Sequence, residues 1–270
     1  MTRKLRYILI YFFLTISAFI SVFPFYWMIV GSTNSSVDVL KGKLAFGGEF
    51  LNNLKNLWEN YNLGTVLLNS AKISLFVVVF SIVVSSMAGY GFEVYASKSR
   101  NRVYSALLLT MMIPFAALMV PLFRLMYFFN LIDSHWGVIL PMIPSVFLTF
   151  FFRQSFKQYP KEIIMAARVD GANELRIFFS IVLPSMKSSY AAAAIYAFMT
   201  SWNAYLWPLV IIQSEQNKTI VLMISSIASG YTPDFGVVMM AVVIATLPML
   251  VVFFALQKQF VQGVLGSVKQ

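Results

Sequence analysis

The sequence contains no cysteine, a single histidine and few charged residues, and each shortage excludes a class of protein. Without cysteine, the chain has neither a disulfide framework nor thiolate chemistry. The one histidine, His135, has no Cys or His cluster around it, so no zinc site is predicted. Only 11% of the 270 residues are charged, whereas soluble domains carry about 25%. No catalytic residues, metal site or cofactor are therefore expected.

Apolar residues make up 59% of the chain, and its mean hydropathy is +0.77. A soluble fold of this length cannot bury so much apolar surface, because much of any folded surface faces water. Lipid removes that conflict. The net charge of +10 does not indicate a nucleic-acid partner, since the basic residues lie in short segments between apolar runs. The composition predicts a polytopic integral membrane protein.

Six apolar stretches are long enough, or nearly so, to cross a bilayer. A hydrocarbon core about 30 Å thick needs about 20 helical residues. The first stretch follows a basic start, as in a signal peptide, but its apolar run is longer than a typical signal segment and ends in aromatic residues. An uncleaved first span is the better interpretation. We predict an all-α membrane protein, with a single transmembrane domain over residues 1-270 and six spans at about 7-30, 70-92, 103-126, 136-153, 186-212 and 235-257.

The distribution of Lys and Arg predicts the orientation of these spans, because cytoplasmic segments carry an excess of both residues. With the N-terminus inside, the other end also lies inside, and most of the twenty basic residues fall on the cytoplasmic side. These are Arg3, Lys4, Arg6, Lys98, Arg100, Arg102, Arg153, Lys157, Lys161, Arg168, Arg176, Lys187, Lys258 and Lys269.

The first long connection, at about 31–66, is predicted to lie outside. It carries Leu51, Leu54, Leu57, Trp58 and Tyr61, whose spacing puts an apolar stripe on one side of a short helix. Two interpretations stay open. The pattern favours a helix lying on the outer membrane surface, and the alternative is a substrate-binding element.

The second long connection, residues 153–187, is predicted to be cytoplasmic and structured. Pro160 is suited to begin a helix, and Gly171 is suited to end it in a sharp turn. Asn173 then caps a second helix that ends near Pro184. Two partly apolar helices joined by a sharp turn in this way predict a protein partner. An amphipathic helix lying on lipid is the alternative.

This connection resembles the signature of binding-protein-dependent ABC importer permeases, which reads Glu-Ala-Ala, three residues, Gly, nine residues, Ile-x-Leu-Pro. The matching positions are Ala166, Ala167, Gly171, Ile181, Leu183 and Pro184. The family usually has Glu directly before the alanine pair, where this chain has Met165, and Glu162 lies three residues upstream. The variant Ala-Ala-Arg-Val-Asp-Gly-Ala is similar to the carbohydrate branch, which includes the smaller membrane subunit of maltose importers. The resemblance extends from about residue 60 to the end.

The resemblance implies a division of labour among several chains. This chain would be a multi-pass subunit of an ATP-driven importer for a sugar or oligosaccharide, in a bacterial or archaeal cytoplasmic membrane. Its implied partners are a second, homologous permease subunit, two ATP-binding subunits, an extracytoplasmic sugar-binding protein and membrane lipid. The chain lacks the glycine-rich phosphate-binding motif of ATPases, so it is not expected to be an enzyme.

In such a complex, the loop at about 157-184 would couple to an ATP-binding subunit, with its 160–176 segment seated in a cleft of that subunit. Coupling of this kind is rigid-body transmission through a packed element. The residues implied in coupling are Glu162, Met165, Ala166, Ala167, Asp170, Gly171, Ile181, Leu183 and Pro184.

Three residues near the end of the fifth predicted span are candidates for lining the translocation pathway. Polar groups inside spans usually face the bundle interior. Asn203 offers an amide to sugar hydroxyls, and the flanking Trp202 and Tyr205 offer rings to sugar C–H faces. The alternative is that the rings belong to an interfacial belt and the amide bonds a neighbouring helix.

Other solutes and mechanisms also stay open. Glycerol phosphate or an anionic sugar is an alternative solute, with Arg124 as a contact. A stand-alone secondary transporter typically has internal repeats or intramembrane ionisable residues, and a membrane enzyme needs convergent catalytic groups. The sequence shows neither, apart from the charges Lys72, Glu93 and Arg124 at span edges.

Overall fold

The computed structural model describes the backbone of residues 3–266 and the side chains of residue 7 and residues 9–258. Within that range the chain forms helices and no strand, which confirms the predicted all-α class. The helices are α1 (Arg3–Ser32), α2 (Ser36–Leu40), α3 (Phe50–Asn60), α4 (Leu63–Val94), α5 (Lys98–Leu109), α6 (Phe115–Phe128), α7 (His135–Met142), α8 (Val146–Lys157), α9 (Lys161–Val169), α10 (Glu174–Arg176), α11 (Leu183–Ser185), α12 (Lys187–Trp202), α13 (Leu206–Ile211), α14 (Ile220–Ala228) and α15 (Phe235–Gly266). Shorter elements are the 3₁₀ turns Thr110–Met112 and Glu215–Asn217 and the π-helical segment Ile177–Val182.

Several of these helices are long and apolar enough to cross a membrane. Three meet that test alone, namely Leu9–Ser32 in α1, the whole of α4 and Phe235–Lys258 in α15. Three bent pairs meet it together, so the described chain has three spans, or up to six if each pair is one span. The pairs are Lys98–Met112 with Phe115–Phe128 (bent by 103°), His135–Met142 with Val146–Lys157 (41°) and Glu174–Ser185 with Lys187–Trp202 (85°).

Proline accounts for the first two bends. Pro114 directly precedes α6, and Pro144 lies between α7 and α8. Proline has no backbone N–H, and its ring disfavours helical backbone in the residue before it. Ser145 then begins α8 by accepting a hydrogen bond from the backbone N–H of Leu148 at 3.2 Å.

The chain divides into two compact units, one made of residues up to 65 and 222–247, the other of 66–221 and the residues from 248 onwards. A buried polar junction holds the first unit together. Asn53 on α3 is 6% exposed, and its Nδ2 donates to the backbone oxygens of Ser32 (2.9 Å) and Asn34 (3.0 Å). Gly236 lies so close that a Cβ there would be 2.6 Å from the Asn34 oxygen.

The apolar residues of α3 and its end are divided between two faces. Leu57 is fully buried, and Leu54 and Tyr61 are half-buried. Leu51 and Trp58, seven residues apart and thus on one edge of the helix, are 73% and 64% exposed. The stripe predicted from the sequence is therefore split into a packed side and a projecting edge.

A buried apolar cluster in the second unit joins α4, α8, α9, the π-helical segment and α12. The connection between α8 and α12 is therefore part of this core, because Ile164, Ala167 and Ile177 all contribute to it. The cluster comprises Tyr90, Leu148, Phe152, Phe156, Ile164, Ala167, Ile177, Phe178, Val182, Met186, Ala193 and Ala197.

Asp133 joins two loops of the second unit. Its backbone has φ 54°, in the left-handed region that Asp tolerates. Its Oδ1 accepts hydrogen bonds from the backbone N–H groups of Gln213 and Ser214, both at 2.9 Å, and from the Ser214 hydroxyl at 3.0 Å. These bonds, above all the one from the Ser214 backbone, lower the pKa of Asp133 to about 2. The loop before α7 is thus tied to the loop after α13.

Candidate functional site

The short helix α9 has one face inside the core of the second unit. It is nine residues long and follows Pro160, as the sequence predicts. Ile164 and Ala167, nearly one turn apart, are 4% and 7% exposed and belong to the buried cluster. This burial fixes the orientation of the helix, so that its opposite face points away from the core.

The outward face of α9 carries Glu162, Met165, Ala166 and Val169. Their spacing of three, four and seven residues places them on one side of the helix. Met165 is 59% exposed and Val169 is 87% exposed. An exposed apolar helix face is typical of a surface that contacts another macromolecule. Sequence reasoning missed Val169, although it lies one helical turn after Met165 on the same face.

The remaining signature residues fall into buried and exposed positions. Ala167 is buried, whereas its neighbour Ala166 is exposed, so only one of the two alanines allows close packing within this chain. Ile181 and Leu183 are half-buried and pack against the same cluster as α9. Pro184 is exposed.

The end of α9 is a Schellman turn. Gly171 has φ +80°, its N–H donates to the Arg168 oxygen, and the next N–H, of Ala172, donates to the Ala167 oxygen, both at 3.0 Å. Asp170 is the exposed residue at the C-cap. Ala172 packs against the buried cluster that contains Ala167, which is the apolar contact that accompanies such turns. The glycine therefore sets the direction in which the chain leaves α9.

After this turn the chain changes helix type. Asn173 begins α10 by accepting a hydrogen bond from the backbone N–H of Arg176 at 2.8 Å, as predicted. The six residues Ile177–Val182 are π-helical, and Ile177 and Phe178 among them are buried. Such segments are rare and frequently lie at functional sites.

Glu93, in the last turn of α4, is a carboxylate between two cations. It is 9% exposed. Its Oε2 lies 3.5 Å from Nε of Arg153 on α8, and its Oε1 accepts a hydrogen bond from Nζ of Lys161, the first residue of α9, at 3.2 Å. From the sequence it is only a charge at a span edge, because its partners lie 60 and 68 residues away.

A second carboxylate, Glu174, lies at the other end of α9. Its Oε1 is 2.6 Å from Nε of Arg168, and its Oε2 accepts a hydrogen bond from the Tyr90 hydroxyl at 3.2 Å. Sequence reasoning missed Glu174. Across the described side chains, no group of three or more His, Cys, Asp and Glu residues is placed to hold a metal ion.

The predicted pathway residues lie at a break between α12 and α13. Trp202 is 3% exposed, and its ring stacks on Phe198 with centroids 5.3 Å apart. Asn203 is exposed, and its Nδ2 caps α12 by donating to the Met199 oxygen at 3.0 Å. Tyr205 is exposed as well. The structure thus brings Asn203 and Tyr205 to an accessible surface and places the Trp202 ring in the core.

Curated relatives cover nearly the whole chain. The lactose transport system permease protein LacG of Rhizobium radiobacter is 50% identical over 99% of this chain and 98% of its own length. The arabinooligosaccharides transport system permease protein AraQ of Bacillus subtilis is 36% identical over 98% and 96%. The sn-glycerol-3-phosphate transport system permease protein UgpE of Pectobacterium atrosepticum is 34% identical over 92% of each chain.

A solved structure has the same fold. It is a chain from the crystal structure of a bacterial ABC transporter involved in the import of the acidic polysaccharide alginate, with a TM-score of 0.84 at 21% identity over 96% of this chain and 99% of that one. The family model described as "Binding-protein-dependent transport system inner membrane component" matches residues 81–266, which is more than half of the sequence. The chain belongs to this family of transport permeases.

Proposed function

We propose that this chain is a transmembrane permease subunit of an ATP-driven importer for a sugar or oligosaccharide. The observation that carries the proposal is α9, whose inner face is packed into the core while Met165 and Val169 are exposed on its outer face. A rigid helix with an exposed apolar face suits the transfer of force between chains. The relatives named for lactose and arabinooligosaccharides support the class of solute.

In this proposal the chain forms half of a translocation pathway in a bacterial or archaeal cytoplasmic membrane. The chain crosses the membrane six times as a single transmembrane domain, with both ends in the cytoplasm. The fifth span begins at about residue 186, so Glu174–Ser185, the first part of the last bent pair, belongs to the cytoplasmic connection. The excess of Lys and Arg in the segments at α5 and α9 supports this orientation. The other chains would be a second permease, two ATP-binding subunits and an extracytoplasmic sugar-binding protein.

The outward face of α9 would be the contact with an ATP-binding subunit. Its centre in this chain is Met165, so the contact there would be apolar, whereas the Glu of the family signature would allow an ionic contact. Glu162 lies one turn earlier on the same face and provides a carboxylate at the edge of the contact. Closure of the ATP-binding subunits would push α9 as a rigid body.

Within the pathway, Asn203 and Tyr205 would face the solute. An exposed amide at a helix break and a neighbouring aromatic ring suit a sugar, whose hydroxyls bond to amides and whose C–H faces pack on rings. Trp202 would not contact the solute itself, because its ring is buried and stacks on Phe198, where it supports the end of α12.

The test is reconstitution in liposomes. The chain would be assembled with a second permease, an ATP-binding subunit and a sugar-binding protein of the same transport system, and uptake of labelled lactose would be measured with ATP inside the vesicles. We expect uptake that requires ATP and every subunit. The chain alone is the control, since we expect it to neither hydrolyse ATP nor carry sugar. Transport by the chain alone would overturn the proposal.

A glycerol phosphate permease is the second candidate function. The relative named for sn-glycerol 3-phosphate favours it, as does Arg124, an exposed cation on α6 that makes no ion pair with any side chain the structure describes. The same vesicles distinguish the two, because labelled glycerol 3-phosphate would then be taken up and lactose would not.

A further inference from the structure

The cation that faces Glu93 from α8 is held independently of α9. The Arg153 guanidinium donates to Oδ1 of Asn101 at 2.8 Å and lies 4.0 Å from the centre of the Tyr104 ring, and both of these residues are on α5. The Arg153 side chain is only 15% exposed, so these contacts persist away from solvent. Lys161 reaches Glu93 from α9 with a side chain that is 54% exposed. Glu93 therefore has one fixed partner and one partner that belongs to α9.

The other end of α9 reaches the same face of α4. Arg168 in its last turn pairs with Glu174, and Glu174 accepts the hydroxyl hydrogen bond of Tyr90. Tyr90 and Glu93 are three residues apart and thus neighbours on one side of the α4 helix. Both ends of α9 are connected, directly or through one side chain, to the last turns of α4.

The last turns of α4 have little freedom to absorb a movement of α9. A Cβ on Gly89 would lie 2.8 Å from Cβ of Phe152 and 2.9 Å from the backbone nitrogen of Arg153, so the backbones of α4 and α8 are in close contact. The Tyr90 ring also packs edge-on against Phe156 and Phe178, with centroids 5.6 and 5.3 Å apart. Closely packed interiors transmit displacement.

We infer that Tyr90 and Glu93 are positioning residues that form a two-point joint between α9 and α4, through which displacement of α9 reaches α4. The inference rests on the proposed function, because it assumes that an ATP-binding subunit moves α9. The outward face of α9 binds that partner, whereas the joint on its inner side passes the movement on. Loss of the joint therefore leaves partner binding intact and separates ATP hydrolysis from transport.

The test uses the reconstituted complex with the variants Glu93→Gln, Lys161→Met and Tyr90→Phe. We expect each to copurify with the ATP-binding subunit, and each to lower the sugar transported per ATP hydrolysed by about fivefold or more, the lower end of typical coupling between sites. Lys161→Arg keeps the charge and restores the ratio. Lys98→Met is the matched control, since Lys98 is an exposed cation with no ion pair among the described side chains.

The double variant Glu93→Gln/Lys161→Met separates a joint from two unrelated effects. If both residues act through one contact, the double variant is no worse than the poorer single variant. The inference is overturned if the variants change thermal stability but keep the wild-type transport per ATP. If Glu93→Gln fails to fold, Lys161→Met still tests the inference, because it removes only the contact that the exposed Lys161 side chain makes with Glu93. Failure of the wild-type complex to transport would instead refute the proposed function.

Discussion

Replacement of Gly171 tests whether the turn after α9 sets the direction of the connection. Its φ of +80° is in the left-handed region, where a side chain costs about 1–2 kcal/mol. Beyond the two adjacent residues, no atom lies within 4 Å of an added Cβ, so this penalty comes from the local backbone and is not confused with a clash against packed neighbours. Gly171→Val should suffer the full penalty, because valine is β-branched, whereas Gly171→Asn should suffer little, since Asn is accepted at this position of helix ends.

The assay compares Gly171→Asn, Gly171→Ala and Gly171→Val in two measurements. Thermal unfolding in detergent should give the order Asn, Ala, Val from most to least stable, with a total spread of a few degrees, since about 1 kcal/mol shifts Tm by about 2–4 °C in a protein of this size. The sugar transported per ATP hydrolysed should fall in the same order, because valine changes the direction in which the chain leaves α9 and so displaces α10. Equal stability and equal transport for the Val and Asn variants would refute this account of the turn.

Three further predictions address other parts of the chain. Met165→Glu should leave Tm unchanged and should still bind the ATP-binding subunit, because the Met165 side chain is 59% exposed. Ala167→Glu should unfold the connection between α8 and α12, since it buries an unpaired charge. Similar Tm values for the two variants would contradict the assignment of the α9 faces. Asp133→Asn should lower the free energy of unfolding by about 1–2 kcal/mol. The pKa of Asp133 is lowered from 3.8 to about 2 by folding, so its contribution to stability is present above pH 3.8 and is lost as the pH falls towards 2. The free energy of unfolding should therefore decrease less steeply with falling pH in the variant than in the wild type. Single cysteines at Leu51 and Gln158, both exposed in a chain without native cysteine, should label from opposite sides of the membrane, and labelling from one side would exclude the proposed orientation.

Local sequence signals predicted the structure around α9 well. Pro160, Gly171 and Asn173 act through their own backbone or through neighbours within five residues, so their effects can be read without knowing the fold. The all-α class followed in the same way from apolar runs. The 85° bend between Ser185 and Lys187 had a signal in Pro184, but its size depends on packing that the sequence does not display.

The ion pairs of the site could not be predicted from the sequence, because they depend on how distant helices pack. Glu93 meets Arg153 and Lys161 across 60 and 68 residues, and these partners come together only when α4, α8 and α9 pack. A charge at the edge of an apolar run reads equally as an interfacial residue. The division of α3 into two faces could not be predicted for the same reason. Asn53 donates hydrogen bonds to backbone oxygens of Ser32 and Asn34, and sequence periodicity does not show that these distant residues lie beside it.

The distribution of acidic residues shows where this chain tolerates charge. Of ten Asp and Glu residues in a protein dominated by apolar side chains, four lie in α9, at its cap or against its ends, namely Glu93, Glu162, Asp170 and Glu174. Burying Glu93 costs desolvation free energy that well-packed apolar residues would avoid. Apolar packing is non-directional, however, whereas an ion pair between fixed atoms opposes sliding as well as separation. In the inferred joint, a helix of nine residues with only Ile164 and Ala167 buried would need such directional contacts at both ends to move with α4 as one body.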